Sequence, residues 1–128
     1  MEAVLGLARE FATSFVVDEV AFRASFGTLL SATNTLLLVA QVEEHLVGYV
    51  LAFSHDTFYA NGRVVWVEEL MVDAYCREQG LGRALMRSVE DWAASQDCKL
   101  IALATRRAAS FYQAVGYQAS ATYFKKNL

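Results

Sequence analysis

The chain has 128 residues, of which 55% are hydrophobic, and a net charge of −3 at pH 7. This predicts one domain, residues 1–128, with a single substantial core, and the absence of proline excludes collagen-like and proline-rich chains. The slight negative charge gives no electrostatic reason to expect binding of nucleic acid. No apolar run reaches the roughly 18 residues of a membrane span. Neither partner is therefore expected.

Two cysteines, Cys76 and Cys98, stand apart without a CxxC spacing or a nearby histidine cluster. This pattern predicts reduced thiols in a cytoplasmic protein and gives no indication of a disulfide or a metal site. No charged segment followed by an apolar stretch and a cleavage site opens the chain, so we expect no signal peptide.

Hydrophobic periodicity predicts an α/β fold with a mixed central sheet flanked by helices, in the order α-α-β-β-β-α-β-α-β. The predicted helices cover 3–15, 18–31, Gly80–Gln96 and Thr105–Ala114. The predicted strands cover Thr35–Gln41, Leu46–Phe53, Arg63–Val72, Lys99–Ala104 and 118–126. Asp18 is the expected N-cap of the second helix.

Two elements carry specific burial expectations. The second helix is expected to supply the core with Val20, Phe22, Phe26, Leu29 and Leu30. The apolar strand Lys99–Ala104 is expected to be buried on both sides. Between the second and third strands, His55–Gly62 is predicted to be a polar loop.

The segment after the strand Arg63–Val72 carries most of the functional signal. It reads Arg77-x-x-Gly80-x-Gly82 and leads into an amphipathic helix. A helix N-terminus has unpaired N–H groups and a partial positive charge, so a glycine loop there can cradle a pyrophosphate. The spacing matches neither the Rossmann fingerprint nor a Walker loop. From these residues alone, a plain turn remains the alternative.

A second motif, Phe111-Tyr112-x-x-x-Gly116-Tyr117, follows on a different element. With Glu68-Glu69-Leu70-Met71-Val72 and the glycine loop, it resembles the GNAT superfamily of acyl-CoA N-acyltransferases over about residues 1–128. The resemblance implies the acyl-CoA N-acyltransferase fold. It also implies an enzyme that uses acetyl-CoA as co-substrate and needs no metal.

The resemblance assigns the co-substrate to two neighbouring segments. The main chain of Leu70, Met71 and Val72 is expected to contact the pantetheine arm and the thioester, with one N–H polarising the carbonyl. The pyrophosphate is expected at the loop formed by Arg77, Glu78, Gln79, Gly80, Leu81, Gly82 and Arg83.

The chain departs from the family pattern at two places. Thr105 stands where many members carry asparagine, and its hydroxyl is expected to contact the pantetheine or an ordered water. The family usually begins with a β-strand, whereas this chain opens almost directly in a helix. The missing strand is consistent with a shortened gene product, a misassigned start, or a sheet edge that a partner chain covers. A homodimer is therefore one of the alternatives.

Acetyl transfer to an amine needs a group that takes a proton from the protonated amine. Strand alternation predicts that Glu68 shares a face with Trp66 and Leu70. Glu69 then shares the opposite face with Val67 and Met71, so that only one glutamate addresses the substrate. The resemblance favours Glu68 as the catalytic group. Glu69 is a weaker substrate-binding candidate, and pairing with a basic side chain is its structural alternative.

The remaining candidates come from the resemblance as well. Tyr112 matches the family tyrosine that protonates the departing CoA thiolate, with a core tyrosine as the alternative. Phe22, Phe26 and His55 are candidates for the acceptor pocket. The phenylalanines are equally suited to the core, and a lone histidine at a strand end is more often incidental.

The function expected from these residues is transfer of an acetyl group from acetyl-CoA to a primary amine, with a small molecule as the acceptor. Direct attack in a ternary complex is the expected mechanism, because nothing near Cys76 would activate it as a nucleophile. The alternatives are a non-catalytic acyl-CoA-binding sensor or regulatory module and a purely structural subunit.

Overall fold

The computed structural model describes residues 1–12, 15–77 and 79–128. The helices are α1 (Glu2–Phe11), α2 (Glu19–Ser31), α3 (Leu81–Ser95) and α4 (Ala109–Ala114). The strands are β1 (Thr35–Val42), β2 (His45–Thr57), β3 (Gly62–Val72) and β4 (Ile101–Leu103), and a 3-10 helix covers Ala74–Cys76. Asp18 caps α2 as predicted, because its carboxylate accepts the N–H of Ala21 at 2.8 Å.

The four strands form one sheet in the order β1-β2-β3-β4. The first three strands are antiparallel neighbours, and β4 runs parallel to β3. This confirms the predicted mixed sheet flanked by helices. In the described sheet, β1 is an edge strand.

Each face of the sheet has its own core. On one face α3 packs against β2 and β3, where Val50, Val65 and Val89 are fully buried. On the other face α1 covers the sheet, with Tyr49 and Met71 buried beneath it. Each β3 side chain can therefore be assigned to the α3 face or to the α1 face, and this assignment is needed for Glu68 and Glu69.

A β-bulge interrupts β3 at Glu68. Leu51 lies opposite Glu69 and Ala52 lies opposite Val67, so Glu68 is the extra residue of the ladder. Val67 packs on the α3 face, whereas Glu69 bonds to Tyr49 on the α1 face. The prediction that Glu69 shares a face with Val67 is therefore wrong, because the bulge shifts the alternation by one residue.

The predicted C-terminal strand 118–126 is wrong. Residues 118–128 form neither helix nor strand, and all of them are exposed. Their sequence does alternate, with Ala119, Ala121 and Tyr123 on one side, but two of these three side chains are only methyl groups. So small an apolar face gains little burial from pairing on the sheet.

Other boundaries differ by smaller amounts. Helix α1 ends at Phe11 rather than at residue 15, and β2 continues to Thr57. Val20 and Leu30 of α2 are 77% and 62% exposed, so their predicted core role is wrong. Strand β4 is only half-buried because it is a short edge strand. Within the described residues, no helix has the length and apolar character needed to cross a membrane.

Candidate active site

An open groove of about 1760 Å³ lies on the α1–α2 side of the sheet. Its walls come from α1, α2, the end of β3, the start of α3 and the segment 104–108 that joins β4 to α4. Most of the candidate site residues named from the sequence thus line this one groove.

Strands β3 and β4 separate at the groove. They pair at only three positions, from Val65 opposite Ile101 to Val67 opposite Leu103. The bulge follows immediately, and β3 continues for residues 68–72 after β4 has ended. This separation leaves a slot beside the last residues of β3.

The hydrogen-bond register shows which main-chain groups face the slot. Asp73 donates its N–H to Val47 O at 2.6 Å, and hydrogen-bonded pairs alternate along an antiparallel ladder. The N–H of Met71 therefore faces β2, and the N–H groups of Leu70 and Val72 face the slot. The main-chain groups of Leu70 and Val72 are therefore directed toward the slot, where a ligand could reach them. The Met71 carbonyl is directed toward β2, since it lies 2.8 Å from the position that a Cβ on Gly48 would take. The predicted contacts of these residues with pantetheine stay predictions.

Both neighbouring glutamates line the groove. Glu68 is exposed, and its Oε2 accepts the indole N–H of Trp66 at 2.7 Å. Glu69 is half-buried, and its Oε1 accepts the hydroxyl of Tyr49 at 2.6 Å. The prediction that only one glutamate addresses the groove is wrong, since the bulge allows both side chains to reach the same side of the sheet.

The segment from Arg77 to the first turn of α3 contributes two arginines to the groove. Arg77 donates from Nε to Val72 O at 3.1 Å, and Arg83 also lines the groove. Gly80 precedes α3 with φ of 78°, a left-handed conformation that glycine adopts without strain. Gln79 is exposed and is not among the groove-lining residues described, and the predicted contact of Glu78 lies outside the described residues.

The two sequence motifs meet at the start of α3. A Cβ on Gly82 would lie 3.2 Å from Cζ of Phe111, so the glycine makes room for that ring. Tyr112 lines the groove, and its ring packs edge-on against Phe111 and Tyr117. Burial raises the pKa of Tyr112, which keeps its phenol protonated at neutral pH.

The segment between β4 and α4 adds groups that sequence reasoning missed. Arg106 and Arg107 line the groove next to Thr105. The Thr105 hydroxyl accepts the N–H of Ala108 at 3.0 Å, so it also shapes the turn into α4. The sequence signal that could have identified these residues is the pair of arginines directly after Thr105. Tyr49 was also missed, because only the strand register brings it to Glu69.

The acceptor candidates divide into two groups. Phe22 and Phe26 line the groove, with ring centroids 5.6 Å apart, and pack on the core that contains Tyr49. His55 pairs with Val64, at the far end of the β2–β3 hairpin from the slot. The prediction that His55 borders the slot is wrong because β2 extends past it as regular strand.

Among the described residues, no group of three or more His, Cys, Asp or Glu side chains is arranged to hold a metal ion.

The sequence model of the acetyltransferase (GNAT) family matches residues 3–117. The chain belongs to the GNAT acetyltransferase family. Among curated proteins, it is 32% identical over 120 residues to glucosamine 6-phosphate N-acetyltransferase 1 of Oryza sativa subsp. japonica, covering 88% of this chain and 72% of the relative. This GNAT chain is an acetyl-CoA-dependent N-acetyltransferase.

Solved structures share the same fold. A transcriptional regulator from Bacillus halodurans C-125 superposes with a TM-score of 0.83 at 24% identity, covering 95% of this chain and 85% of that chain. The complex of AAC(6')-Iy with the bisubstrate analogue CoA-S-monomethyl-acetylneamine superposes with a TM-score of 0.82 at 20% identity, covering 99% and 91%. These likenesses confirm the predicted GNAT fold.

Proposed function

We propose that this GNAT chain transfers the acetyl group of acetyl-CoA to the primary amine of a small molecule, by direct attack in a ternary complex. The observation that carries the proposal is the slot beside β3. The groove is lined by arginines and the N-terminus of α3, and also by the carboxylates of Glu68 and Glu69. Arg77 lies at the last residue of β3, where it donates to Val72 O, and the two glutamates lie earlier on the same strand. One groove therefore offers cations to the phosphates of one substrate and anions to the amine of the other.

The phosphate end supports binding of the CoA moiety. The first-turn N–H groups of α3 have no intrahelical acceptor, and the helix dipole favours an anion there. Arg77, Arg83, Arg106 and Arg107 line the same groove. Guanidinium groups bind phosphate oxygens in a bidentate manner, so these residues suit a pyrophosphate and a further phosphate.

The free edge of β3 supports binding of the pantetheine arm. The amide groups of an extended arm can hydrogen-bond to the main chain of Leu70 and Val72, as an added strand would. An N–H of the same edge is then available to the thioester carbonyl, where it stabilises the negative charge that develops on oxygen. Carboxylates on the groove side of β3 come close to the same point.

The reaction requires three proton transfers. Glu68 accepts a proton from the acceptor ammonium, directly or through water, and the neutral nitrogen attacks the thioester carbonyl carbon. A C–N bond forms as the C–S bond breaks, and the departing thiolate takes the phenolic proton of Tyr112, which burial keeps in its protonated form before the reaction. The nitrogen, now cationic, gives its second proton through water to the Tyr112 phenolate, and Glu68 releases the first proton to solvent.

The acceptor end combines carboxylates with the aromatic rings of Phe22 and Phe26. This suits a cationic amine attached to a partly apolar skeleton. The curated relative is named for glucosamine 6-phosphate, and the AAC(6')-Iy complex contains an acetylneamine analogue. Amino sugars are therefore the first class of acceptor to examine.

A thiol-release assay tests the proposal. Acetyl-CoA is incubated with the protein and one of several amines: glucosamine, glucosamine 6-phosphate, an aminoglycoside, a linear polyamine or a peptide with a free N-terminus. We expect equimolar CoA and acetylated amine from at least one of the small molecules, and strong losses in Glu68→Gln and Tyr112→Phe. Binding of acetyl-CoA without turnover of any amine, at an affinity that both variants retain, would instead identify an acyl-CoA sensor.

A further inference from the structure

Tyr49 is a buried tyrosine whose hydroxyl has no part in the scheme above. Its side chain is 2% exposed on the α1 face of the sheet, and its hydroxyl reaches the acceptor end of the groove at Glu69. We infer that Tyr49 is a positioning residue that fixes the Glu69 carboxylate as the binding site for the acceptor ammonium. The inference rests on the proposed function and adds a second carboxylate with a separate role.

The contact depends on the bulge in β3. Tyr49 lies directly opposite Met71, and Glu69 is the diagonal neighbour two residues earlier on the same face. Diagonal neighbours are within reach of an aromatic side chain. A regular strand would have placed Glu69 on the α3 face with Val67, so the extra residue at Glu68 makes this pair possible.

The Tyr49 ring is held rigidly. It packs with Val4, Leu7, Ala8 and Met71 in the core beneath α1. Both χ angles of a ring packed on all sides are restricted, so its hydroxyl has one position in the structure. The Glu69 carboxylate accepts from that hydroxyl at 2.6 Å, so the position of Oε1 is restricted as well.

The hydroxyl can act only as a donor toward Glu69. Burial, and next the nearby Glu69 carboxylate, raise the pKa of Tyr49 strongly, so the phenol keeps its proton throughout the physiological range. Its one proton is directed at Oε1 of Glu69. An ionised carboxylate has lone pairs on both oxygens, which leaves Glu69 able to accept a further bond from an ammonium group in the groove.

The two glutamates differ in burial. Glu69 is half-buried against a buried donor, whereas Glu68 is exposed and bonded to the indole of Trp66. A carboxylate held by a buried donor suits binding and orientation of the ammonium group, and an exposed carboxylate can pass the proton it accepts to solvent. The aromatic pair Phe22 and Phe26 packs on the same core as Tyr49, so the fixed carboxylate lies beside an apolar wall.

A double-mutant cycle tests the inference. Tyr49→Phe removes only the hydroxyl, and Glu69→Gln keeps an oxygen that accepts from Tyr49 while removing the charge. In the wild-type background we expect Tyr49→Phe to raise KM for the acceptor about tenfold, the size of a hydrogen bond to a charged group. KM for acetyl-CoA and kcat should stay within about twofold. In the Glu69→Gln background the same substitution should have no further effect on acceptor KM.

Tyr117→Phe is the matched control. It removes another tyrosine hydroxyl that donates to a glutamate, here Glu90 at 2.9 Å and away from the groove. We expect this control to leave all kinetic constants unchanged, which separates a positional effect from a general loss of stability.

The outcomes distinguish the inference from the proposed function. An acceptor KM for Tyr49→Phe equal to that of the wild type overturns the inference, as does an equally large effect in the Glu69→Gln background. If Tyr49→Phe does not fold, the folded Glu69→Gln protein decides, and an unchanged acceptor KM overturns the inference. Absence of turnover in the wild type with every amine overturns the proposed function and the inference together.

Discussion

Gly82 lies against the ring of Phe111, and a Cβ at this glycine would approach Phe111 Cζ to 3.2 Å and Cε1 to 3.4 Å. The contact joins the first turn of α3 to α4. Because Tyr112 follows Phe111 directly, the packing also fixes the place where a phenol enters the groove. The two sequence motifs are thus parts of one packed unit, and the second glycine of the loop is required for packing within the protein.

Gly82→Ala is expected to destabilise the fold by about 1–3 kcal/mol, because the added methyl group overpacks the α3–α4 contact. Gly6→Ala is the matched control. Gly6 lies in the interior of α1 with no atom within 4 Å of an added Cβ, so alanine should raise stability by about 0.5–1 kcal/mol through helix propensity. Urea unfolding measures both changes. An unfolding midpoint of Gly82→Ala at or above that of the wild type would contradict the packing account.

Glu68→Gln is expected to lower kcat by about 10²–10³-fold, the usual contribution of a positioned general base. The exposed position of Glu68 predicts an unchanged unfolding midpoint. Trp66→Phe removes the indole donor and should cause a smaller loss, within about tenfold. Glu44→Gln, in the exposed turn between β1 and β2, should have no effect on the kinetics. Equal kcat values for Glu68→Gln and Glu44→Gln would assign the proton transfer to another group.

Arg106→Ala combined with Arg107→Ala is expected to raise KM for acetyl-CoA about tenfold at low salt, because two cations that line the groove, and that we propose to bind CoA phosphates, are removed. The difference from the wild type should shrink at high salt, where exposed charges are screened. Arg87→Ala removes an exposed arginine of α3 outside the groove and serves as the control. Initial rates at several salt concentrations give KM for acetyl-CoA in both variants. A KM of the double variant equal to that of Arg87→Ala at low salt would contradict the prediction.

The stability of the fold is expected to fall as the pH rises above about 10. Burial and the Glu69 carboxylate raise the pKa of Tyr49, so the native state keeps a proton that the unfolded chain loses near pH 10. A state that holds fewer protons is favoured by rising pH, and here that is the unfolded state. Tyr49→Phe should therefore lose less stability than the wild type between pH 8 and pH 11, as measured by urea unfolding. Equal losses in both proteins would contradict this assignment.

The sequence was sufficient for the order of the elements up to α4 and for the position of the loop that precedes α3. Helical periodicity and the Asp18 cap are local signals, and the structure confirms them. The placement of the two glutamates could not be predicted, because alternation assumes a regular strand and the bulge at Glu68 depends on pairing with β2.

The predictions for the buried side of α2 and for a C-terminal strand were wrong for a related reason. Apolar residues such as Val20 and Tyr123 show what a segment is able to bury, but the packing partners decide what it does bury. Tyr123 stacks on Trp66 with ring centroids 6.4 Å apart, yet it remains 61% exposed. The contact of Tyr49 with Glu69 likewise joins positions on different strands, so local sequence patterns could not predict it.

A crystal structure of the acetyl-CoA complex tests the central claim most directly, because that claim is one of placement. We expect the pyrophosphate over the first turn of α3, and the thioester carbonyl within hydrogen-bond distance of the Leu70 N–H. The acetyl group should point toward Glu68 and Glu69. A thioester on the α3 face of the sheet, or a pyrophosphate away from Gly80 and Arg83, would contradict the account.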